Sequence, residues 1–182
     1  MEAYFHSQTF RDRGARCGST FTPPSVSVFA AADCSMTRTT INPTYNDGRT
    51  LVIQVVVHAI KKTDGTGALP EALVKSQIDI LNEDYNAIAG TLGQHGTNAK
   101  IKFVLARFDP QGNPTNGIDV VTNDTFFADP GSGGTNPMKT ALHWDTTRYL
   151  NIYTNDAAGL LGYATFPQES AGTPEDLSLI HI

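Results

Sequence analysis

From Thr50 to Ile60 (TLVIQVVVHAI) the chain is almost continuously apolar and dominated by β-branched residues, the pattern of a strand buried on both faces in the middle of a sheet. Gln54 and His58 interrupt it four residues apart and so point to one face. No second metal-binding side chain lies near His58 in sequence, which favours a hydrogen-bonded core histidine over a metal ligand. After the turn at Asp64-Gly65-Thr66-Gly67 the period changes. Val74, Ile78, Leu81 and Tyr85 recur at i, i+4, i+7 and i+11, which predicts a helix that begins near Pro70 and lays this stripe on the sheet. Glu83 and Asp84 are adjacent on that helix and point apart, so a solvated helix end is preferred to an acid/base pair.

Gly90 to Ala99 reads as a polar loop with His95 exposed. Ile101 to Phe108 (IKFVLARF) alternates as a second strand, with Ile101, Phe103 and Leu105 inward and Lys102 outward. The turn formers Asp109-Pro110-Gln111-Gly112-Asn113-Pro114 stop it. Thr115 to Thr140 reads largely as loop, and Gly131-Ser132-Gly133-Gly134 within it follows no strand and lacks a lysine at phosphate-loop spacing. Tyr149 to Tyr153 is a further strand, with Leu150 and Ile152 on one face and Trp144, the single tryptophan, before it as a core anchor. Gly159 to Pro167 reads as a turn followed by a short strand, closed by a proline that suits an edge rather than a central position. Small residues at an edge suit pairing with an extended peptide. Strand, helix, strand is the grammar of a sheet with a covering helix, so the fold class is α/β (mixed α+β).

Composition narrows the function. The 182 residues suffice for one domain. A net charge of −5 argues against a nucleic-acid partner, whose footprint would be a basic stripe, and Arg11, Arg13 and Arg16 read as an exposed tail. No apolar run approaches the length of a membrane span. Cys17 and Cys34 have no zinc-site spacing and form either one disulfide or two separate thiols. No signal peptide is visible at the first residues. Residues 1–48 form an extended lead-in or prosegment remnant, rich in Ser, Thr, Pro and Gly.

Several stretches together resemble the pappalysins, the metzincin-type zinc metalloproteases related to pregnancy-associated plasma protein-A. They are Arg16-Cys17-Gly18, Val55 to His58, Gln77 to Asn86 (QIDILNEDYN), Asp109 to Ile118 (DPQGNPTNGI), Trp144 to Ile152 (WDTTRYLNI) and Leu161 to Pro167 (LGYATFP), in order over about 150 residues. The resemblance implies a zincin-like upper subdomain, a twisted sheet of about four to five strands with a backing helix. It implies that the lowest edge strand holds a peptide or protein substrate antiparallel, and that this strand is Gly162, Tyr163, Ala164, Thr165 and Phe166. It implies zinc in the complete protein, allows calcium, and implies a secreted or extracellular location. The catalytic helix of that family carries His-Glu-x-x-His-x-x-Gly-x-x-His, three zinc ligands and a general base. This sequence departs from it: His6, His58, His95, His143 and His181 show no i, i+4 spacing. No catalytic residue and no metal ligand is therefore assigned, and His143 is not a ligand candidate. Cys17 resembles a latency-switch cysteine, with a plain thiol or a bridge to Cys34 the preferred reading.

Residues 49–176 then read as an incomplete catalytic domain, and 177–182 (LSLIHI), which resemble a translated sequencing adapter, as a non-native tail. The leading expectation is a fragment of a secreted zinc-dependent endopeptidase, inactive as this chain because the zinc ligands are missing. The alternative is a non-catalytic peptide-binding module that uses the same edge strand. A β-rich adhesion domain is a third reading, disfavoured by the helix at residues 70 to 86.

Overall fold

The computed structural model describes residues 48–129, 136–157, 161–165, 170, 172–174 and 176–181. Readings that fall on residues 1–47, among them Cys17 and Cys34, and on the 131–134 glycines lie outside the described residues.

The sheet is built on β1 (Leu51–Lys61), the strand the β-branched run predicts. Its first residues, Leu51 and Val52, are exposed, and Val55 to Ile60 are buried. A β-branched side chain fits the crowded pleat between two neighbours, and β1 has neighbours on both sides. The helix α1 (Glu71–Asn86) starts one residue after Pro70, which stays extended just ahead of the first turn. Its Val74 and Ile78 are buried against the sheet, Leu81 is partly buried and Tyr85 lies at the exposed margin of the stripe.

Six strands form one sheet: β1, β2 (Ile101–Leu105), β3 (Ile118–Thr122), β4 (Tyr149–Asn155), β5 (Gly162–Ala164) and β6 (Leu177–His181). The order is β2-β1-β4-β6-β5, with β3 also paired to β1. All pairings are parallel except β5 with β6. The mixed α/β class holds, with two strands that the sequence pattern does not show. One is β3, within the stretch read as loop, which also contains the short helix α2 (Asp124–Phe127) and the start of α3 (Pro137–Leu142). Both helices carry a local start signal: Asn123 and Asn136 each accept a backbone N–H with their side chain, and proline opens α3. The other is β6, in the segment read as a tail, whose Leu179 is buried.

The β2 and β3 strands occupy one lane along the same edge of β1, end to end. Leu51 to Val55 pair with Ile101 to Leu105, and Val57 to Lys61 pair with Ile118 to Thr122. Ala106 still donates to the Val55 carbonyl at 2.8 Å, and Gly117 already accepts from the Val57 N–H at 2.9 Å. Residues 107–116 are therefore looped out of a single lane as a small hairpin. Asp109 fixes its tip: its carboxylate accepts from the backbone N–H groups of Gln111 at 3.0 Å and Asn113 at 2.8 Å, and from the Asn113 side chain at 2.9 Å. At the base, Tyr149 Oη donates to the Phe108 carbonyl at 3.1 Å.

The two faces of the sheet differ. Val55, Val57, Phe103 and Ile152 pack under Val74 and Ile78 of α1. The opposite face carries Ile60, Tyr153, Tyr163 and Leu179 with Phe127 of α2 and Met138 of α3, and beside them Val56, Ala106 and Tyr149 with Trp144. Trp144 is the partly buried anchor expected of it, edge-on to Tyr149.

Candidate functional site

The strand predicted to hold a peptide is the last strand of the sheet. It is shorter than the five residues expected: β5 covers Gly162–Ala164, Thr165 follows it outside the strand, and Phe166 lies outside the described residues. One side of β5 pairs antiparallel with β6, in the register Gly162 to Ile180, Tyr163 to Leu179 and Ala164 to Ser178. Alternation then sets the side chains. Tyr163 turns inward and is buried, whereas Ala164 is exposed. The ammonium of Lys139, itself buried, lies 5.0 Å from the centroid of the Tyr163 ring. Tyr163 thus anchors β5 to the core.

The far end of the sheet is covered by a specific device. Asn82 of α1 donates to the Phe103 carbonyl at 2.9 Å and accepts from the Phe103 N–H at 2.8 Å, as a neighbouring strand would. Asn86, one turn on, donates to the Ile101 carbonyl at 2.8 Å. Two asparagines at i and i+4 on the helix therefore serve the outward groups of β2, and edge pairing is blocked there. The stripe rule does not find them, because it counts only apolar positions.

Among the described residues His58, His95 and His143 lie on separate elements. His58 is fully buried and hydrogen-bonded on both nitrogens, to Asp119 and Asn151, the core role the sequence reading prefers. His95 is exposed in a 3-10 turn, and His143 Nδ1 lies 3.0 Å from the Lys139 carbonyl at the end of α3. Glu83 is partly buried and Asp84 exposed at the end of α1. Among the described residues no group of three or more His, Cys, Asp or Glu side chains is arranged to hold a metal ion. Zinc does not fit the side chains of the described residues. Among the described residues no helix is long and apolar enough to cross a membrane.

No family model matches the chain. An extracellular metalloprotease of the fungus Pyricularia oryzae is 31% identical over 121 residues, which is 64% of this chain and 34% of the relative. Among solved structures, a promirolysin mutant from Tannerella forsythia is 34% identical with a TM-score of 0.59, covering 75% of this chain and 48% of that one. Mirolysin in complex with a compound is 36% identical with a TM-score of 0.56, over 73% of this chain and 53% of the other. Mature Tannerella forsythia mirolysin in complex with a cleaved peptide is 35% identical with a TM-score of 0.53, over 72% and 53%. The chain thus spans about a third of the curated relative and about half of these solved chains. The similarities support a relationship to metalloproteases in both sequence and fold, and they do not single out the pappalysins.

Proposed function

We propose that the chain is part of a secreted, zinc-dependent metzincin endopeptidase of pappalysin type, in which Gly162, Tyr163, Ala164, Thr165 and Phe166 align a substrate peptide. The observation that carries this reading is the common fold with mirolysin, a protein known in complex with a cleaved peptide, over nearly three quarters of the chain. The two ends of the sheet support the choice of strand: α1 serves the edge of β2, and β5 stands at the opposite end in antiparallel sense to its neighbour. An extended peptide adds to such an edge through main-chain hydrogen bonds. Secretion accords with the extracellular fungal relative.

The metal of the complete protein is zinc on this reading, and nothing among the described residues speaks for calcium. Residues 49–176 are an incomplete catalytic domain, inactive alone because the sequence holds no His-Glu-x-x-His. Chelator-sensitive cleavage of casein by the purified chain would overturn the inactivity.

The test of the strand is a titration of the isotope-labelled chain with an extended peptide. The expected amide shifts fall on Gly162 to Thr165. Shifts on Ile101 to Leu105 instead, or none at saturating peptide, would remove β5 from the role. A peptide-binding module without catalysis shares this strand. A zinc-binding helix encoded within a few dozen residues downstream decides for the enzyme.

A further inference from the structure

The lane beside β1 has an outer edge in two halves, and α1 serves only the β2 half, through Asn82 and Asn86. The helix begins at Glu71, whose Oε2 accepts from the Asn116 side chain at 3.2 Å just ahead of β3. β3 itself lies past the start of that cover. The Val57 N–H bonds the Gly117 carbonyl and the Asn123 N–H bonds the Lys61 carbonyl, at 2.9 Å each. In the parallel register between them, Asp119 and Val121 turn their main-chain groups toward β1, and Ile118, Val120 and Thr122 turn theirs outward. The outward Ile118 N–H is met by Asn116 Oδ1 at 3.1 Å. Among the described residues no hydrogen bond reaches the Ile118 carbonyl, or the N–H and carbonyl of Val120 and of Thr122.

An uncovered edge is ordinarily blunted by a charge, a proline or a bulge. The outward positions of β3 carry none of these. Ile118, Val120 and Thr122 share the face that α1 covers farther along, and Val120 is 59% exposed. The pattern of open groups is its own complement. When two copies of β3 run antiparallel about a twofold axis at Val120, each Val120 exchanges both main-chain bonds with the partner's Val120, and each Thr122 N–H meets the partner's Ile118 carbonyl. The Ile118 N–H that Asn116 already holds falls at the margin of this pairing. Side chains agree with the register: the two Val120 residues form a β-branched pair, and on the other face Asp119 stands opposite Val121 rather than a second carboxylate. Charge agrees as well. Lys61, level with Thr122, and Glu71, beside Asn116, flank opposite ends of β3, so the twofold axis brings the lysine of each copy toward the glutamate of the other.

We propose that the β3 edge is a docking surface for a second copy of this chain, which continues the sheet across a twofold axis at Val120. A strand of 5 residues offers less than the roughly 1,000 Å² expected of a stable interface, so the dimer is weak and forms with concentration. It is also closed, because each copy presents one such edge and the pairing occupies both.

Sedimentation of the full chain from about 10 μM to about 1 mM, with amide exchange measured at both ends of that range, reads the pairing. The expected result is a monomer–dimer equilibrium in which the Val120 and Thr122 amides exchange at least about tenfold more slowly in the dimer, while Asp119 and Val121, bonded to β1 throughout, change little. Val120→Pro removes only an outward N–H, which an edge strand tolerates, and is expected to weaken association at least about tenfold with the Asp119 and Val121 amides still protected. Unchanged association in that variant overturns the proposal. So does a chain that stays monomeric over the whole range, or a dimer whose new protection falls on Gly162 to Ala164 and leaves Val120 and Thr122 as they were. Protection of Val120 and Thr122 at every concentration overturns it too, since another segment of the same chain then holds the edge. The last three readings come from the unaltered chain and stand whether or not the variant folds.

Discussion

Replacing Gly117 by alanine tests whether β2 and β3 are one lane closed at a neck. Gly117 has φ near +75°, and a Cβ there would stand 2.7 Å from the Ala106 nitrogen, 2.9 Å from Leu105 Cβ and 3.0 Å from the Ala106 oxygen. These neighbours are mostly backbone, and they cannot withdraw. The Ala106 N–H is bonded to Val55 and the Gly117 carbonyl to Val57, so both sides of the neck are tied to the central strand. The left-handed backbone costs an L-residue about 1–2 kcal/mol. Forcing a methyl into a packed site adds about 1–3 kcal/mol. The stiffer unfolded chain offsets about 0.4–1 kcal/mol. The net loss is about 2–4 kcal/mol, a large share of the roughly 5–15 kcal/mol typical of a domain. Gly112, at the hairpin tip, is the internal control: its φ is near +87°, but nothing lies within 4 Å of a Cβ there. Gly112→Ala should cost only the backbone share. Urea unfolding followed by circular dichroism gives both values, with the slope against urea expected to stay unchanged. Equal losses in the two variants, or a Gly117→Ala loss under about 0.5 kcal/mol, would refute the closed neck.

Other outcomes follow from the same geometry. Ile78→Ala opens a cavity between α1 and the sheet and should cost about 2–5 kcal/mol in the same assay. Asn82→Ala leaves the outward N–H and C=O of Phe103 without their partner; a loss of about 1–3 kcal/mol is expected, with concentration-dependent self-association by light scattering as the exposed edge pairs. The Asp109 carboxyl is held below the usual carboxylate range, first by the Asn113 side chain and then by backbone N–H groups at the hairpin tip. A depressed carboxyl orders the tip above its unfolded value and loses that hold as pH falls through the folded one. The Gln111 and Asn113 amides should shift together in an acid NMR titration, and Asp109→Asn should flatten the response.

The chain itself carries the elements whose signals are local. A β-branched run makes β1, a 3.6-residue stripe makes α1, and alternation makes β2 and β4, because burial on two faces, one stripe or one side leaves its period in neighbouring residues. The β3 strand shows how such a signal fails. Ile118-Asp119-Val120-Val121 is short, follows stacked turn formers, and gains its place only because a ten-residue detour returns to the lane that β2 leaves. The candidate edge was legible as a short strand closed by proline, but its three-residue extent, its partner β6 and the inward anchor Tyr163 were not. Parallel pairing is non-local by nature: its partners are joined by crossovers, and no window of sequence contains both. The same holds for the polar core. The sequence shows His58 as an interruption in an apolar strand and favours a hydrogen-bonded role. That its partners are Asp119 and Asn151, 61 and 93 residues away, was decided only when three strands came into register and a buried imidazole had to find a polar partner on each side.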